Sequence, residues 1–544
     1  MRSRSRYLAG RFHRGRALPA TLIAEMALLS NAGQWDQLEI KARAVATRHA
    51  GQVAGWRALG KALLKSGKWT QAMTALFRAV KLAPGDADVH NDLGYVFYNL
   101  GREEEAEASY RRALECEPRF AKALNNLGAL LADLGRLAEA AAILQQSLAI
   151  NPHSEIALHC LGILVDRVGG HDDEALAYLE RSIALNPNCS DAYITAGNIL
   201  LRAGQVARSM AMFRRARELC PLITWRARKE KADFSALFLY APGSGCTPVN
   251  YLVGKAPYDC HFYCVLPDAP THLDILLAKA DVVINMIADA DYGKEILPFA
   301  QDLVERLGRP TVNPPRLVIN TDRESVALRL AGIPLCHIPK TVLLPGPALV
   351  ETAKNMIPDG FAMPLLVRLA GNHGGDDFDK FTDLHAIADF VSKRPEADYY
   401  LTQYLDYRSA DGYFRKYRLL SINGELLPYH LAIHDDWKVH HFRTDMANHA
   451  WMRLEEESFL KAPHLVFDEP QQTSLRAVAA ATGLDYCGID CALDCNGEIV
   501  VFETNASMLV HDEKSEVFAY KNPYIAKIKA AFDANLTRLA FLKQ

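Results

Sequence analysis

Pro84, Pro118, Pro152, Pro187 and Pro221 stand 34, 34, 35 and 34 residues apart, and Gly60, Gly94, Gly128, Gly162 and Gly197 keep the same step. Two rulers in register confine the amino-terminal half to stacked copies of one supersecondary unit. Between each glycine and the following proline come small and apolar residues at helical spacing: Ala72, Leu76 and Ala79, then Ala106, Tyr110 and Ala113, then Ala140, Leu144 and Ser147. Each unit reads as two antiparallel helices. The glycine permits close helix contact, and the proline, whose ring cannot continue the hydrogen-bond ladder, closes the second helix.

Trp56, Leu59, Gly60, Leu63, Ala72, Leu76, Ala79 and Pro84 make the unit resemble the tetratricopeptide repeat. A degenerate earlier copy, in which Gly33-Gln34-Trp35 parallels Gly67-Lys68-Trp69, brings the count to about six repeats between residues 19 and 222. One helical pair cannot cover its own apolar face, so stacking supplies the core and leaves a groove lined by the first helices. The resemblance implies a module that holds a peptide or protein. The alternative is a scaffold, or the interface of a homodimer. Asn91, Tyr95, Asn125, Asn126 and Asn198 are the groove candidates.

The 544 residues suffice for three or four domain-sized units. Half the chain is apolar, and 61 Lys and Arg nearly balance 64 Asp and Glu, which excludes wholesale disorder and a generally polycationic nucleic-acid binder. Eleven scattered cysteines form no secreted disulfide framework and suit a cytoplasmic protein. No window reaches 18 uninterrupted apolar residues; residues 282–290 are too short to span a bilayer and read as a buried strand. No membrane contact is expected. Six arginines and no acid among the first 24 residues read as a basic disordered tail over 1–18 rather than a secretory signal.

After Pro221 the period changes. A charged stretch, 226–231, leads into strand-like runs at 236–240, 261–266 and 282–287, then an amphipathic helix over 293–307. Residues 232–312 therefore suggest a small parallel α/β unit. The loop Gly243-Ser244-Gly245 lacks the lysine and spacing of a P-loop and reads as a turn. Further on, Asn496-Gly497 is a strong hairpin turn between two apolar strands. Pairing them brings Asp490 near Glu503, and the two-residue step from Glu503 to Asn505 keeps both on one sheet face. Two carboxylates and a carboxamide oxygen are hard donors suited to Mg²⁺ (or Mn²⁺), completed by phosphate oxygens and water.

Upstream stand Thr321-Asp322-Arg323, Pro339-Lys340-Thr341, Leu365-Leu366-Val367-Arg368, the glycine loop 371–375 and a strand ending Leu401-Thr402-Gln403-Tyr404-Leu405. In this order residues 232–535 resemble the ATP-grasp superfamily of carboxylate-amine ligases. The chain then reads as multidomain: an all-α tetratricopeptide-repeat solenoid (19–222), an α/β pre-ATP-grasp unit (232–312) and an α+β ATP-grasp domain (313–535). The resemblance implies Asp490, Glu503 and Asn505 as metal ligands. It places Arg323 and Arg368 where relatives commonly carry phosphate-binding lysines, a departure that keeps the charge and adds bidentate geometry. Gly374 and Gly375 fall in the loop that covers the triphosphate. Thr402, Gln403, Tyr404 and Leu405 match the segment that contacts adenine, and Asp411 is a ribose candidate. Arg418 corresponds to the arginine that stabilises an acyl phosphate.

Residues 429–441 carry four histidines, Trp437 and paired acids; His434, Trp437 and His440 are candidates for an acceptor-substrate pocket, and the spacing lacks a zinc signature. Cys487, Cys491 and Cys495 lie too far apart along a strand to share an iron–sulfur cluster and read as buried small side chains. The expected activity is an ADP-forming ligase that uses ATP to activate a small-molecule carboxylate and joins it to an amine, with the repeats recruiting a peptide or protein. The alternative is a repeat adaptor whose second half senses nucleotide without turnover.

Overall fold

A computed structural model describes residues 18–227, 229, 231–243, 250–253, 256–355, 357–371, 377–439, 444–506 and 508–542. The arginine-rich tail before Leu18 lies outside the described residues, as do Ser244, Gly245, Gly374, Gly375 and His440. The chain forms two compact units, 1–219 and 220–544.

Twelve helices make up the described part of the first unit. They pair as α1 (Ala20–Asn31) with α2 (Trp35–Arg48), α3 (Val53–Lys65) with α4 (Trp69–Leu82), α5 (Ala87–Asn99) with α6 (Glu103–Cys116), α7 (Ala121–Asp133) with α8 (Leu137–Ile150), α9 (Glu155–Val168) with α10 (Asp172–Leu185), and α11 (Ser190–Arg202) with α12 (Val206–Leu219). Pro84, Pro118, Pro152, Pro187 and Pro221 each sit two residues past the second helix of a pair, as the ladder argument requires. Asp86 starts α5 by accepting the Val89 N–H, and Ser154 starts α9 by accepting that of Ala157. Between paired helices the turn needs a left-handed residue, supplied by Gly67 at φ +71° and its counterparts one period away.

The spaced glycines act by close approach. A β-carbon on Gly94 would stand 2.7 Å from the Tyr110 ring, and one on Gly128 would stand 2.6 Å from Leu144 Cγ. Gly128→Val should therefore overpack the α7–α8 contact and cost about 2 kcal/mol. A lowered urea midpoint for the first unit checks this; an unchanged midpoint would contradict it.

The asparagines offered as groove residues divide. Asn91 and Asn125 are buried inside the stack. Asn91 accepts the Asn126 side-chain N–H at 2.8 Å, and Asn125 accepts the Ser147 hydroxyl at 2.6 Å. These two serve helix packing and are corrected from groove contacts. Tyr95, edge-on to Trp69, and Asn198 remain exposed.

Among its described residues the second unit holds three sheets. The first has the order β1-β3-β2-β4-β5, built from β1 (Ile223–Trp225), β2 (Ser235–Tyr240), β3 (Asp259–Cys264), β4 (Val282–Asn285) and β5 (Thr311–Val312). It is parallel except for β1. After β6 (Cys336–His337) come β7 (Thr341–Pro345), β8 (Leu365–Leu369), β9 (Phe378–Phe381) and β10 (Asp398–Gln403), an antiparallel sheet ordered β7-β10-β8-β9. The third sheet, β12-β11-β13-β14-β6, comprises β11 (Phe414–Ile422), β12 (Glu425–His434), β13 (Tyr486–Leu493) and β14 (Ile499–Asn505), with β6 parallel at its edge.

The division expected at 312/313 runs through a shared core. Phe238 and Ile284 of the first sheet pack in one cluster with Leu420, Ile422 and Tyr486 of the third, closed by Ile525, Ile528 and Phe532 of the helix Asn522–Ala540. Among the described residues, no helix is long and apolar enough to cross a membrane.

Candidate functional site

The second unit contains a partly open cleft with a cavity volume of about 600 Å³, within the size range of small-molecule sites. The antiparallel sheet presents Arg368, Tyr400 and Thr402 to it, and the third sheet presents Lys416, Arg418, Glu503 and Asn505. The segment leaving β10 adds Tyr404, Leu405 and Tyr407; the loop after β4 adds Asp289 and Asp291; Arg323 enters from the helix Arg323–Leu330. Trp437, Lys438 and Phe378 also line it.

Strand alternation and one irregularity put the charged residues on a common face. Leu493, Ala492 and Cys491 pair with Ile499, Val500 and Val501, but the register then shifts, and Asp490 pairs with Glu503. Without that bulge Asp490 would oppose Phe502, and Glu503 would turn to the opposite face. Asp490 is also opposite Arg418, which is opposite His430, so His430, Arg418, Asp490 and Glu503 form one transverse row across four strands.

Within that row Asp490 is fully buried. Arg418 grips it through Nε and Nη2 at 2.6 and 2.8 Å, and Lys416 reaches the second oxygen at 2.6 Å. Asp490 does not line the cavity. Here it anchors two cations that do, a role different from the open metal ligand expected from sequence. Glu503 and Asn505 do line the cavity, with Asn505 Nδ2 donating to Glu503 Oε1 at 3.0 Å. Arg323 Nη2 lies 2.5 Å from Glu503 Oε2.

Charge in the site is mutually adjusted. Burial opposes ionisation of Asp490, but Arg418 and Lys416 outweigh it and hold the carboxyl below its ordinary value. Burial likewise opposes charge on Glu503, and Arg323, Lys416 and Arg368 together bring it well below the usual range. Burial, followed by the like charge of Arg323, brings Arg368 down to about 9, which leaves it cationic at neutral pH. Its guanidinium carbon lies 4.1 Å from the centre of the Phe378 ring. Two half-buried arginines, close enough in the cavity wall to repel each other, make a place where an anion is favoured.

The depressed carboxylates set a pH dependence. Their contribution to stability is complete above the ordinary carboxylate value of about 4 and is lost as pH falls below it towards their folded-state values. Urea unfolding of the second unit should show a falling acid limb over that window. Asp490→Asn should make that limb shallower; an identical limb would contradict the assignment.

The remaining candidates separate clearly. Thr402, Gln403, Tyr404 and Leu405 all line the cavity. The Gln403 side-chain amide exchanges hydrogen bonds with the Ala362 backbone at 2.7 and 3.1 Å, which fixes the end of β10. Trp437 stands edge-on to Phe378 at 5.4 Å and to Tyr404 at 6.1 Å, forming an apolar wall. Asp411 lies outside the lining: both its oxygens bind Arg415 at 2.9 and 2.7 Å, and hydrogen bonding by Arg415 holds its carboxyl down to about 2. A ribose contact is corrected to a structural ion pair. His434 is also outside, with Nδ1 accepting the Asp436 N–H at 2.8 Å. Cys487 and Cys491 are buried as expected, whereas Cys495 is exposed in the hairpin turn.

Sequence reasoning missed Lys416, Lys438, Phe378, Tyr400 and Asp291. Lys416 was signalled by its two-residue step from Arg418, which puts both on one face of β11. Asp291 had no local signal: it accepts the Tyr400 hydroxyl at 2.7 Å and the Gly371 N–H at 3.1 Å, linking three distant segments.

Comparison with known families finds the tetratricopeptide repeat at residues 57–119 and 169–222 by one model and at 109–142 by a second. Comparison with curated proteins finds no match. Among solved structures the chain is similar to Pseudomonas aeruginosa pilF, at 25% identity over 30% of this chain and 75% of that one, with a TM-score of 0.29. It is also similar to TTC0263, a thermophilic TPR protein in Thermus thermophilus, at 22% identity over 33% and 98% of the two chains, TM-score 0.30. A third is YrrB, a TPR protein with an unusual peptide-binding site, at 19% identity over 33% and 92%, TM-score 0.27. The amino-terminal region thus consists of tetratricopeptide repeats, modules that in general bind peptides or proteins.

Proposed function

We propose that the second unit is an ATP-dependent, ADP-forming ligase of the ATP-grasp type, and that the repeats recruit its peptide or protein substrate or partner. The observation that carries this reading is the wall of the cavity, where Arg323, Arg368, Lys416 and Arg418 surround the Glu503–Asn505 pair beside an apolar wall of Phe378, Tyr404 and Trp437. Acids and bases nearly balance along this lining, which suits a polyanion that arrives with its own divalent cation.

In this reading the base of the nucleotide lies against the apolar wall and the 402–405 segment, while Arg323 and Arg368 contact its phosphates. Glu503 and Asn505 offer cavity-facing oxygens that fit Mg²⁺, and Asp490 fits only if it exchanges Lys416 for the ion. When bound, the cation supplies charge neutralisation on the phosphates, worth several kcal/mol in the transition state. Arg418, fixed bidentately by Asp490, faces the region where charge develops on the acyl group. A substrate carboxylate oxygen would attack the γ-phosphorus with ADP leaving. An amine nitrogen would then attack the acyl carbon with phosphate leaving, giving an amide.

The test is ADP release by the full chain against pooled carboxylates and amines, with hydroxylamine added to trap an acyl phosphate. Hydroxamate formation is expected. ADP without hydroxamate would redirect the reading to phosphoryl transfer onto another acceptor, and nucleotide binding without ADP would make the unit a sensor.

A further inference from the structure

We propose that His337, Asp494 and Glu498 form a binding site for a divalent transition-metal ion of the zinc class, at the edge of the third sheet. This inference is independent of the ligase reading, since none of the three residues lines the cavity.

The backbone assembles the site from two distant segments. β6 pairs parallel with β14 through Cys336 opposite Ile499 and His337 opposite Val500, and the Ile499 N–H donates to the Leu335 carbonyl at 2.8 Å. His337 is thereby set beside the turn joining β13 to β14, where Asp494 and Glu498 stand. Asp494 Oδ1 accepts the N–H groups of Asn496 at 2.9 Å and Glu498 at 2.8 Å, which fixes the carboxylate, and Oδ2, which also accepts the Asn496 side-chain N–H at 3.5 Å, faces the imidazole. His337 Nδ1 lies 3.7 Å from that oxygen, and its Nε2 lies 2.5 Å from Glu498 Oε2.

One donor atom from each residue lies within 4.8 Å of the others. Ligands around a tetrahedral ion with bonds of ~2.1 Å stand ~3.4 Å apart, so the widest donor pair would close by up to about 1.4 Å while the imidazole and Glu498, now 2.5 Å apart, would separate slightly. The half-exposed His337 side chain has the room to turn, presenting one nitrogen to the ion while water completes the shell. An imidazole with two carboxylates favours zinc and its neighbours over Mg²⁺, which takes oxygen donors almost alone. The bound ion would clip the two-residue edge strand to the hairpin that carries Asp490 and Glu503.

Equilibrium dialysis of the full chain against Zn²⁺ in excess Mg²⁺ tests this, with Cys495→Ser as the parent because that exposed thiol adjoins the turn. One equivalent should bind. His337→Ala and Glu498→Gln should each weaken it by at least the ~10-fold that loss of even an outer-shell partner causes, while His385→Ala, at an exposed histidine in the separate helix Leu384–Ser392, leaves it unchanged. Zinc should raise the unfolding midpoint of the parent and not of the two variants. Absence of binding in the parent, or undiminished binding in His337→Ala, would overturn the site. So would zinc bound by the wild type and lost in Cys495→Ser alone, which would assign the ion to the thiol.

Discussion

Glu503→Gln is expected to abolish magnesium-dependent ADP formation while leaving the binding of metal-free ATP intact or strengthened. The two effects separate because Glu503 plays two electrostatic parts. Its carboxylate faces the cavity beside Asn505, where a cation would sit, and it also neutralises Arg323 at 2.5 Å. The amide keeps the shape and removes the charge. Loss of the negative ligand takes away several kcal/mol of charge stabilisation, or at least about 10³ in rate. Arg323 and Arg368 meanwhile lose their internal competitor and become freer to hold phosphate. Turnover assays paired with nucleotide titrations, each with and without Mg²⁺, read both effects. A variant that keeps magnesium-dependent turnover would remove Glu503 from the metal site.

Asp490→Ala should have the largest effect on stability, a loss of about 3–5 kcal/mol from the second unit. The wild-type carboxylate is fully buried and satisfies three short contacts from Arg418 and Lys416. Truncating it strands two cations beside the protein interior, and the desolvation cost already incurred then lacks its compensating attraction. Hydrogen exchange should speed up in β11, β13 and β14 and stay unchanged in the repeats. Adding Lys416→Met should recover part of the loss, since one of the stranded charges is then gone; additive losses in the double variant would show that Asp490 and Lys416 are not coupled.

The repeats were legible because their physical causes repeat. A glycine pressed against the next helix and a proline beyond its end recur with every unit, so each period confirms the last. Hydrogen bonds that cross from helix to helix were not legible, and Asn91 and Asn125 therefore looked like groove residues until the stack showed Asn126 and Ser147 holding them. In the second unit, residues from separate strings line one cavity: Arg323, Arg368, residues 402–405, Arg418, Trp437, Glu503 and Asn505. What sequence could not supply was register. The bulge opposite Asp490 aligns it with Glu503, and the match of β11 against β13 hands it to Arg418. Neither follows from strand propensity, because both depend on which partner strand lies alongside and where its pleat slips.

The most direct test of the account is calorimetric titration of the full chain with ATP, in the presence and absence of Mg²⁺. One site per chain is expected, tightened by the metal in the wild type and no longer tightened in Glu503→Gln. No detectable heat of binding, or an affinity indifferent to both the metal and the substitution, would contradict the reading of this cavity as a MgATP site.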